Sequence, residues 1–242
     1  MDRVVDILDA LQQSPRGLSL GAIASAAGLP KSSAFRYLST LEARGYVARD
    51  AAGDTYRLGR ALGQLRPREL ARLSVVARPH LEGLAERFQE TVNLGVLDVN
   101  RISYLEVAES PRAVRFVARP GARDRIHSSA LGKAVASRLR EEEVRRILRV
   151  EGMPACTTAT ITDVELYLEE LGDVRARGYS LDRGENEDGG ECVGVVLPGS
   201  STPAAISLAA PAGRLDPMTI KDAVTALRGA AHAIVTEAAI DA

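Results

Sequence analysis

Lys31, Ser32, Ser33, Arg36, Tyr37 and Thr40 fall within one short stretch, Lys31-Ser-Ser-Ala-Phe-Arg-Tyr-Leu-Ser-Thr40. Their shared chemistry is donation: hydroxyls, an ammonium and a guanidinium, with no carboxylate before Glu42. On a helix, Ser33, Arg36, Tyr37 and Thr40 stand three, four and seven positions apart and share one face, while Ala34, Leu38 and Leu41 take the other. An ordinary solvated face would carry Glu and Lys. This one suits a polyanion, because phosphate oxygens accept from Ser, Thr, Tyr and Arg and repel acids. Arg36 is the candidate for reading a guanine through its two acceptors. Lys31 and Ser32 lie at the helix start, where free backbone N–H groups also favour a phosphate.

A second concentration of chemistry is acidic: Asp182, Glu185 and Glu187, with Gly184, Gly189 and Gly190 among them. Paired carboxylates can carry acid–base catalysis, but a glycine-rich acidic loop reads first as a solvated turn. There is no G-x-S-x-G elbow, H-E-x-x-H, P-loop or G-x-G-x-x-G, and His80, His127 and His232 are scattered. No residue is assigned a catalytic role. His127, Cys156, Asp182 and Cys192 lack the spacing of a zinc site, so neither a metal nor another cofactor is expected. Cys192 opens the apolar run Cys192-Val-Gly-Val-Val-Leu197 and reads as a small buried hydrophobe. A redox role would require a lowered thiol pKa and exposure.

The elements that position the donor-rich stretch follow from periodicity. Val4, Ile7, Leu8 and Leu11 predict a helix over 3–13, ended by Pro15 and Gly17. Ser19 caps a second helix whose apolar side is Leu20, Ile23, Ala24 and Ala27. Gly28-Leu-Pro30 is a tight connection into the third helix, Lys31 to Arg44, which Gly45 stops. Tyr46–Arg49 and Thr55–Leu58 read as strands of a hairpin with the loop Asp50–Asp54. This is the order of a winged helix-turn-helix, whose second paired helix enters the major groove of double-stranded DNA. Arg49, Thr55 and Arg57 on the hairpin are placed to grip the flanking backbone.

Leu62, Leu65, Leu70, Leu73, Val76, Leu81, Leu84 and Phe88 predict a helix over 60–89, punctuated by Pro67 and Pro79 and joining two domains. Its leucines exceed what one small domain can cover, which marks it as a pairing surface between copies. Beyond it the pattern changes. Strands are expected at Thr91–Val99, Ile102–Val107, Val114–Val117, Tyr179–Asp182, Cys192–Leu197 and Ala204–Ala209. Helices are expected at Ser128–Leu139, Glu141–Val150 and Val164–Arg177, the last capped by Asp163 and closed by Gly178. A final helix opens at Asp216-Pro217, with Pro at its first position. The mixture lacks strict alternation, so the fold class is α+β around an antiparallel sheet.

Composition agrees. The chain has 242 residues, 45% hydrophobic and 26% charged, with aromatics at 4% and no Trp, so its core must be aliphatic. The net charge of −1 is uneven: residues 1–78 carry 12 basic and 7 acidic side chains, the remainder 19 and 25. A basic first third suits an anionic partner. Two cysteines make no disulfide framework. The N-terminal stretch has acids at positions 2, 6 and 9 and no long apolar run, so no signal peptide, no membrane span and a cytoplasmic location are expected.

Over nearly its full length the chain resembles the IclR-type bacterial transcriptional regulators. The N-terminal matches are Gly17-Leu-Ser-Leu20, Gly28-Leu-Pro-Lys-Ser-Ser33, Arg36, Gly45-Tyr-Val47 and Tyr56-Arg-Leu-Gly59. The C-terminal matches are His127-Ser-Ser-Ala-Leu-Gly-Lys133, Thr160-Ile-Thr162, Arg175-Ala-Arg-Gly-Tyr179, and Gly178, Asp182, Glu185, Cys192, Val193 and Gly194 in order. The resemblance implies a DNA-binding domain over 1–59, a linker helix and the start of an effector domain over 60–89, and a GAF-like effector-binding domain over 90–242. It implies a repressor that binds a pseudo-palindromic operator as a homodimer or homotetramer and responds to a small-molecule effector. The effector site would lie between the sheet and the turn at 128–133, lined by Ala130, Leu131, Gly132, Asp182, Cys192 and Ser207. Asp182 would accept from the ligand, Cys192 would wall the cavity, and the first N–H groups of the helix would suit a carboxylate or carbonyl. Its rim is expected to be polar and its wall apolar. The chain departs from the family's pattern at Gly184, at Pro198-Gly199 and at Ala209. A sensor or enzyme with a vestigial helix-turn-helix is the alternative from another class.

Overall fold

A computed structural model describes residues 2–12, 14, 17–50, 55–59, 68–200 and 202–240. The chain divides into two compact units, Met1–Glu69 and Leu70–Ala242.

In the first unit, α1 (Asp2–Gln12), α2 (Leu20–Ala26) and α3 (Lys31–Ala43) precede a two-stranded antiparallel ribbon, β1 (Val47–Arg49) and β2 (Tyr56–Leu58). Ser19 caps α2 through a bond from the Ala22 N–H at 3.3 Å. Gly45 ends the third helical segment at φ +74°, a conformation that costs glycine nothing. Ile7, Leu11, Ile23, Leu38, Leu41, Val47 and Tyr56 form the core. Leu18 bridges Tyr56 through two backbone bonds of 2.9 and 2.8 Å, which ties the ribbon to the start of α2. Pro15 and residues 51–54, assigned above to a helix stop and a hairpin loop, lie outside the described residues.

The second unit is a six-stranded antiparallel sheet between two helical layers. Its strands are β3 (Thr91–Asp98), β4 (Arg101–Ala108), β5 (Arg123–Arg125), β6 (Ser180–Arg183), β7 (Gly190–Val196) and β8 (Ala204–Pro211), in spatial order β5-β4-β3-β8-β7-β6. Strand side chains alternate between faces. Val92, Leu94, Val96, Val193, Val195, Ile206 and Leu208 pack one face against α4 (Arg68–Phe88) and α8 (Pro217–Ile240). The other face meets α5 (Ala130–Ala136), α6 (Glu141–Glu151) and α7 (Val164–Arg177). Asp163 caps α7 through the Glu165 and Leu166 N–H groups, and Gly178 closes it at φ +75°.

Three expectations change. Val114–Val117 is no strand: Val114 and Val117 are exposed, and the segment is held instead by the Thr91 hydroxyl donating to the Phe116 carbonyl at 2.7 Å. The sheet's edge is completed by β5, whose Arg-Asp-Arg sequence carries no apolar signal. Pro79 does not interrupt α4. Leu73, Ala77, Leu81, Leu84 and Ala85 on one face are buried in the unit's own core, and that burial offsets the missing N–H. Those leucines therefore serve the unit's own core, while Val75 on the same helix is exposed; Leu62, Leu65 and Pro67 lie outside the described residues.

Leu38 is fully buried at the centre of the first unit. Leu38→Ala is expected to lower that unit's stability by about 2–5 kcal/mol, read as a shift of its transition in urea denaturation.

Candidate nucleic-acid interface and ligand cavity

The exposed arc of α3 carries Lys31, Ser32, Arg36, Tyr37 and Thr40, with Ser33 half-buried beside them; Ala34, Leu38 and Leu41 point into the core. Pro30 precedes the helix and makes no side-chain cap bond. Thr40 donates back to the Arg36 carbonyl at 3.0 Å, so it presents chiefly its acceptor lone pairs and methyl group. Phe35, 46% exposed, adds an apolar group to the same helix, one that sequence reading passed over because aromatics are assigned to cores by default.

The ribbon residues divide. Arg57 is exposed. Arg49 stacks on the Tyr56 ring at 4.7 Å, donates to its hydroxyl and lies 4.0 Å from Glu42, so its guanidinium is already engaged within the unit. The Thr55 backbone N–H bonds Asp50 at 3.1 Å.

In the second unit a cavity of about 170 Å³ opens between the sheet and α5. Period-two alternation builds its floor: Thr91 and Asn93 of β3, Cys192 of β7 and Ser207 and Ala209 of β8 face it, while their neighbours face α4 and α8. Ala130 and Leu131 at the start of α5 form one side, and Tyr104, Phe116, Asp124, Asp182, Asn186 and Glu187 enclose the rest. Two glycines let α5 pack closely, one against the turn before it and one against β7. A Cβ on Gly132 would sit 2.5 Å from the Ile126 backbone, and one on Gly194 would sit 3.0 Å from the Ala130 carbonyl.

Asp182 is 4% exposed, and one of its oxygens accepts from the Glu185 and Asn186 N–H groups at 2.7 and 3.3 Å. Burial pushes its carboxyl up to about 6, against the lowering effect of those two bonds. Asp124 is also raised by burial, although Tyr104 donates to it at 2.7 Å and Asn186 at 3.4 Å. Burial, with Asp182 and Asp124 nearby, holds the Cys192 thiol well above its ordinary range, so it stays protonated and unreactive.

The acidic loop is no solvated turn. Glu185 is 8% exposed and pairs at 2.5 Å with Lys133, itself 1% exposed, whose ammonium also donates to the Leu181 carbonyl at 3.0 Å. Thr160 donates to the Glu185 carbonyl and Thr157 to the Gly184 carbonyl, each at 2.6 Å. His127 is buried and meets the Pro154 carbonyl through Nε2 at 3.2 Å, and burial lowers its pKa. Neither His127 nor Cys156 lines the cavity with Asp182 and Cys192. Among the described residues, no three His, Cys, Asp or Glu side chains group as metal ligands.

Comparison with known proteins places both units. Residues 1–51 match the IclR helix-turn-helix domain, and residues 69–236 match the bacterial transcriptional regulator IclR C-terminal domain. The chain belongs to the IclR family of bacterial transcriptional regulators. It is 35% identical over 195 residues to the HTH-type transcriptional regulator BhcR of Paracoccus denitrificans, covering 80% of this chain and 70% of that protein. It is 30% identical over 242 residues to the HTH-type transcriptional regulator KdgR of Escherichia coli, covering 96% and 89%. A crystal structure of an IclR homologue from Microbacterium hydrocarbonoxydans, complexed with 4-hydroxybenzoate, superposes with a TM-score of 0.80 at 28% identity over 98% of each chain.

In this IclR-family regulator the cavity gathers five of the six residues assigned to an effector site: Ala130, Leu131, Asp182, Cys192 and Ser207. Gly132 is not among its lining residues, because its Cα is pressed against the Ile126 backbone and its N–H bonds the Ser129 hydroxyl at 3.1 Å. The wall is more polar than alternation in β7 alone implied, since Thr91, Asn93, Tyr104, Asp124 and Asn186 also line it. Thr91 and Asn93 were legible as polar residues alternating inside an otherwise apolar strand. Asp124 and Asn186 come from segments without such a signal.

Asp182 titrates higher in the fold than in the unfolded chain, so its stabilising contribution is present below about pH 4 and is lost as pH rises through about 6. Asp182→Asn keeps the acceptor for the loop and removes the charge. Its stability relative to wild type is expected to grow by about 2–3 kcal/mol between pH 4 and 7, measured as denaturation midpoints across that range. Lys133→Met leaves Glu185 buried without its partner and is expected to cost about 3–5 kcal/mol, with much of the loss recovered in the Lys133→Met, Glu185→Leu double variant.

Proposed function

We propose that the protein is a cytoplasmic repressor whose affinity for a pseudo-palindromic operator is set by a small molecule held in the cavity of its second unit. Residues 1–59 serve as the DNA-binding domain, 60–89 as the linker and start of the effector domain, and 90–242 as the effector-binding domain. The observation that carries this reading is the cavity itself. Four inward strand positions, Thr91, Asn93, Cys192 and Ser207, hold polar or thiol groups around open space, where a sheet packed only for stability would be aliphatic. The complex of a relative with 4-hydroxybenzoate supports a ligand there, and a repressor named AllR, 30% identical over 89% of this chain, supports repression.

At the DNA, Ser33, Arg36, Tyr37 and Thr40 read or follow the major groove, Lys31 and Ser32 hold a phosphate at the helix start, and Thr55 and Arg57 hold the flanking backbone. Arg49 would have to leave Tyr56 to join them. One winged helix makes too few contacts to specify a site, so a dimer or tetramer binds.

The test is binding of the purified protein to its own promoter across a salt series, with and without cell metabolites. Affinity should fall linearly in log–log form as salt rises; no retardation at low salt under either condition would favour a sensor with a vestigial helix-turn-helix. Arg36→Ala is expected to cost about 1–3 kcal/mol and relax preference at one base position, whereas Lys31→Ala should weaken all sequences alike. Sites selected from a randomised duplex pool distinguish the two.

A further inference from the structure

The chain has three Phe and no Trp, and two of the three rings are seated in the second unit. Phe88 packs against that unit's core, and the Phe116 ring lies against Gly190 and walls the cavity. Phe35 is placed otherwise. It is 46% exposed on α3 and, among the described residues, belongs neither to the first unit's core nor to the hydrophobics packed against it. Burial within its own unit would stabilise such a ring, yet α3 holds it in solvent.

Its surroundings say what meets it. On a helix the neighbours of position 35 are the residues three and four away: Lys31, Ser32 and Ser39, with Leu38 turned into the core. Arg36 follows directly. Lys31, Ser32 and Arg36 are exposed, and α3 has no carboxylate before Glu42, which lies 4.0 Å from Arg49. The ring therefore stands among cations and hydroxyls. A second copy of this face would bring Lys31 and Arg36 against like charges, because a two-fold contact joins the same surface on both chains. Duplex DNA suits both parts. Its phosphates and acceptor edges take the donors, and its major groove presents one apolar group at the base edges, the thymine 5-methyl.

We propose that Phe35 is a specificity-determining residue of α3, contacting the 5-methyl group of a thymine within about two base pairs of the base that Arg36 reads. The inference rests on the reading of α3 as the helix that enters the groove. Successive helical positions differ by about 1.5 Å along the axis and base pairs by about 3.4 Å, so neighbouring side chains reach neighbouring bases. Arg36 then reads by hydrogen bonds and Phe35 by apolar contact.

Uracil in place of thymine keeps the pairing and removes only the methyl. Duplexes selected from a randomised pool, with each thymine replaced in turn, are titrated with the full chain and with Phe35→Ala, Phe35→Leu and Lys31→Ala. One thymine per half-site should be sensitive, its replacement weakening wild-type binding about threefold to tenfold. Phe35→Ala should bind the thymine and uracil duplexes equally, Phe35→Leu should keep part of the preference, and Lys31→Ala should lose affinity for both alike. Urea transitions of the variants should match wild type, since both positions are exposed. An unchanged thymine preference in Phe35→Ala, or no sensitive thymine anywhere in the bound duplex, overturns the contact and leaves α3 as the DNA-binding helix. An oligomeric mass that falls in Phe35→Ala assigns the ring to a contact between copies and overturns it too. No retardation of any duplex by wild type at low salt removes the DNA-binding reading itself, and this inference with it.

Discussion

The second unit is organised around a buried ion pair. Lys133 from α5 and Glu185 from the loop after β6 meet at 2.5 Å, both almost wholly withdrawn from water. Such pairs seldom add net stability, because desolvation cancels most of the attraction. What this one supplies is position. The ammonium also takes the Leu181 carbonyl, Thr160 fastens the Glu185 carbonyl, and the Glu185 N–H is given to Asp182. Helix, loop and cavity carboxylate are thereby held in one register, and a charge is placed where only that arrangement can satisfy it.

The sheet then serves two purposes with one periodicity. Its face toward α4 and α8 is aliphatic and close-packed. Its other face is aliphatic where α5 and α7 cover it, as at Ile102 and Ala205, and polar where the cavity opens. Gly194 sets how closely α5 approaches β7, and Gly132 lets α5 pack against the turn at Ile126.

Most of the helices and strands could be read before any coordinates, because their signals are local: alternation in Thr91–Asp98, the cap at Asp163, the glycine at 178, the donor-rich stretch at 31–40. Asp182, Cys192 and Ser207 were reached through family resemblance. What stayed hidden depended on distance in sequence. Lys133 meets a residue fifty-two positions away, and nothing near Glu185 announces that its carboxylate is buried. Asp124 sits in a short polar strand with no apolar pattern, and Arg49 looked free because its partner Tyr56 lies across the ribbon. Val114–Val117 misled in the opposite direction: its composition favours a strand, but it joins no ladder, with Val114 and Val117 exposed and the Phe116 carbonyl taken by a side chain.

That irregular segment divides the labour of the domain. Phe116, Val117 and Ala118 wall the cavity, and the segment is held through backbone carbonyls, a group every residue possesses: Phe116 accepts from Thr91 and Val114 from Arg214. Val117 and Ala118 can be exchanged without disturbing a ladder bond, whereas the Phe116 ring lies against Gly190 of β7. Selection can therefore remodel which molecules fit while the scaffold below stays constant, so that ligand preference can drift among relatives faster than architecture does.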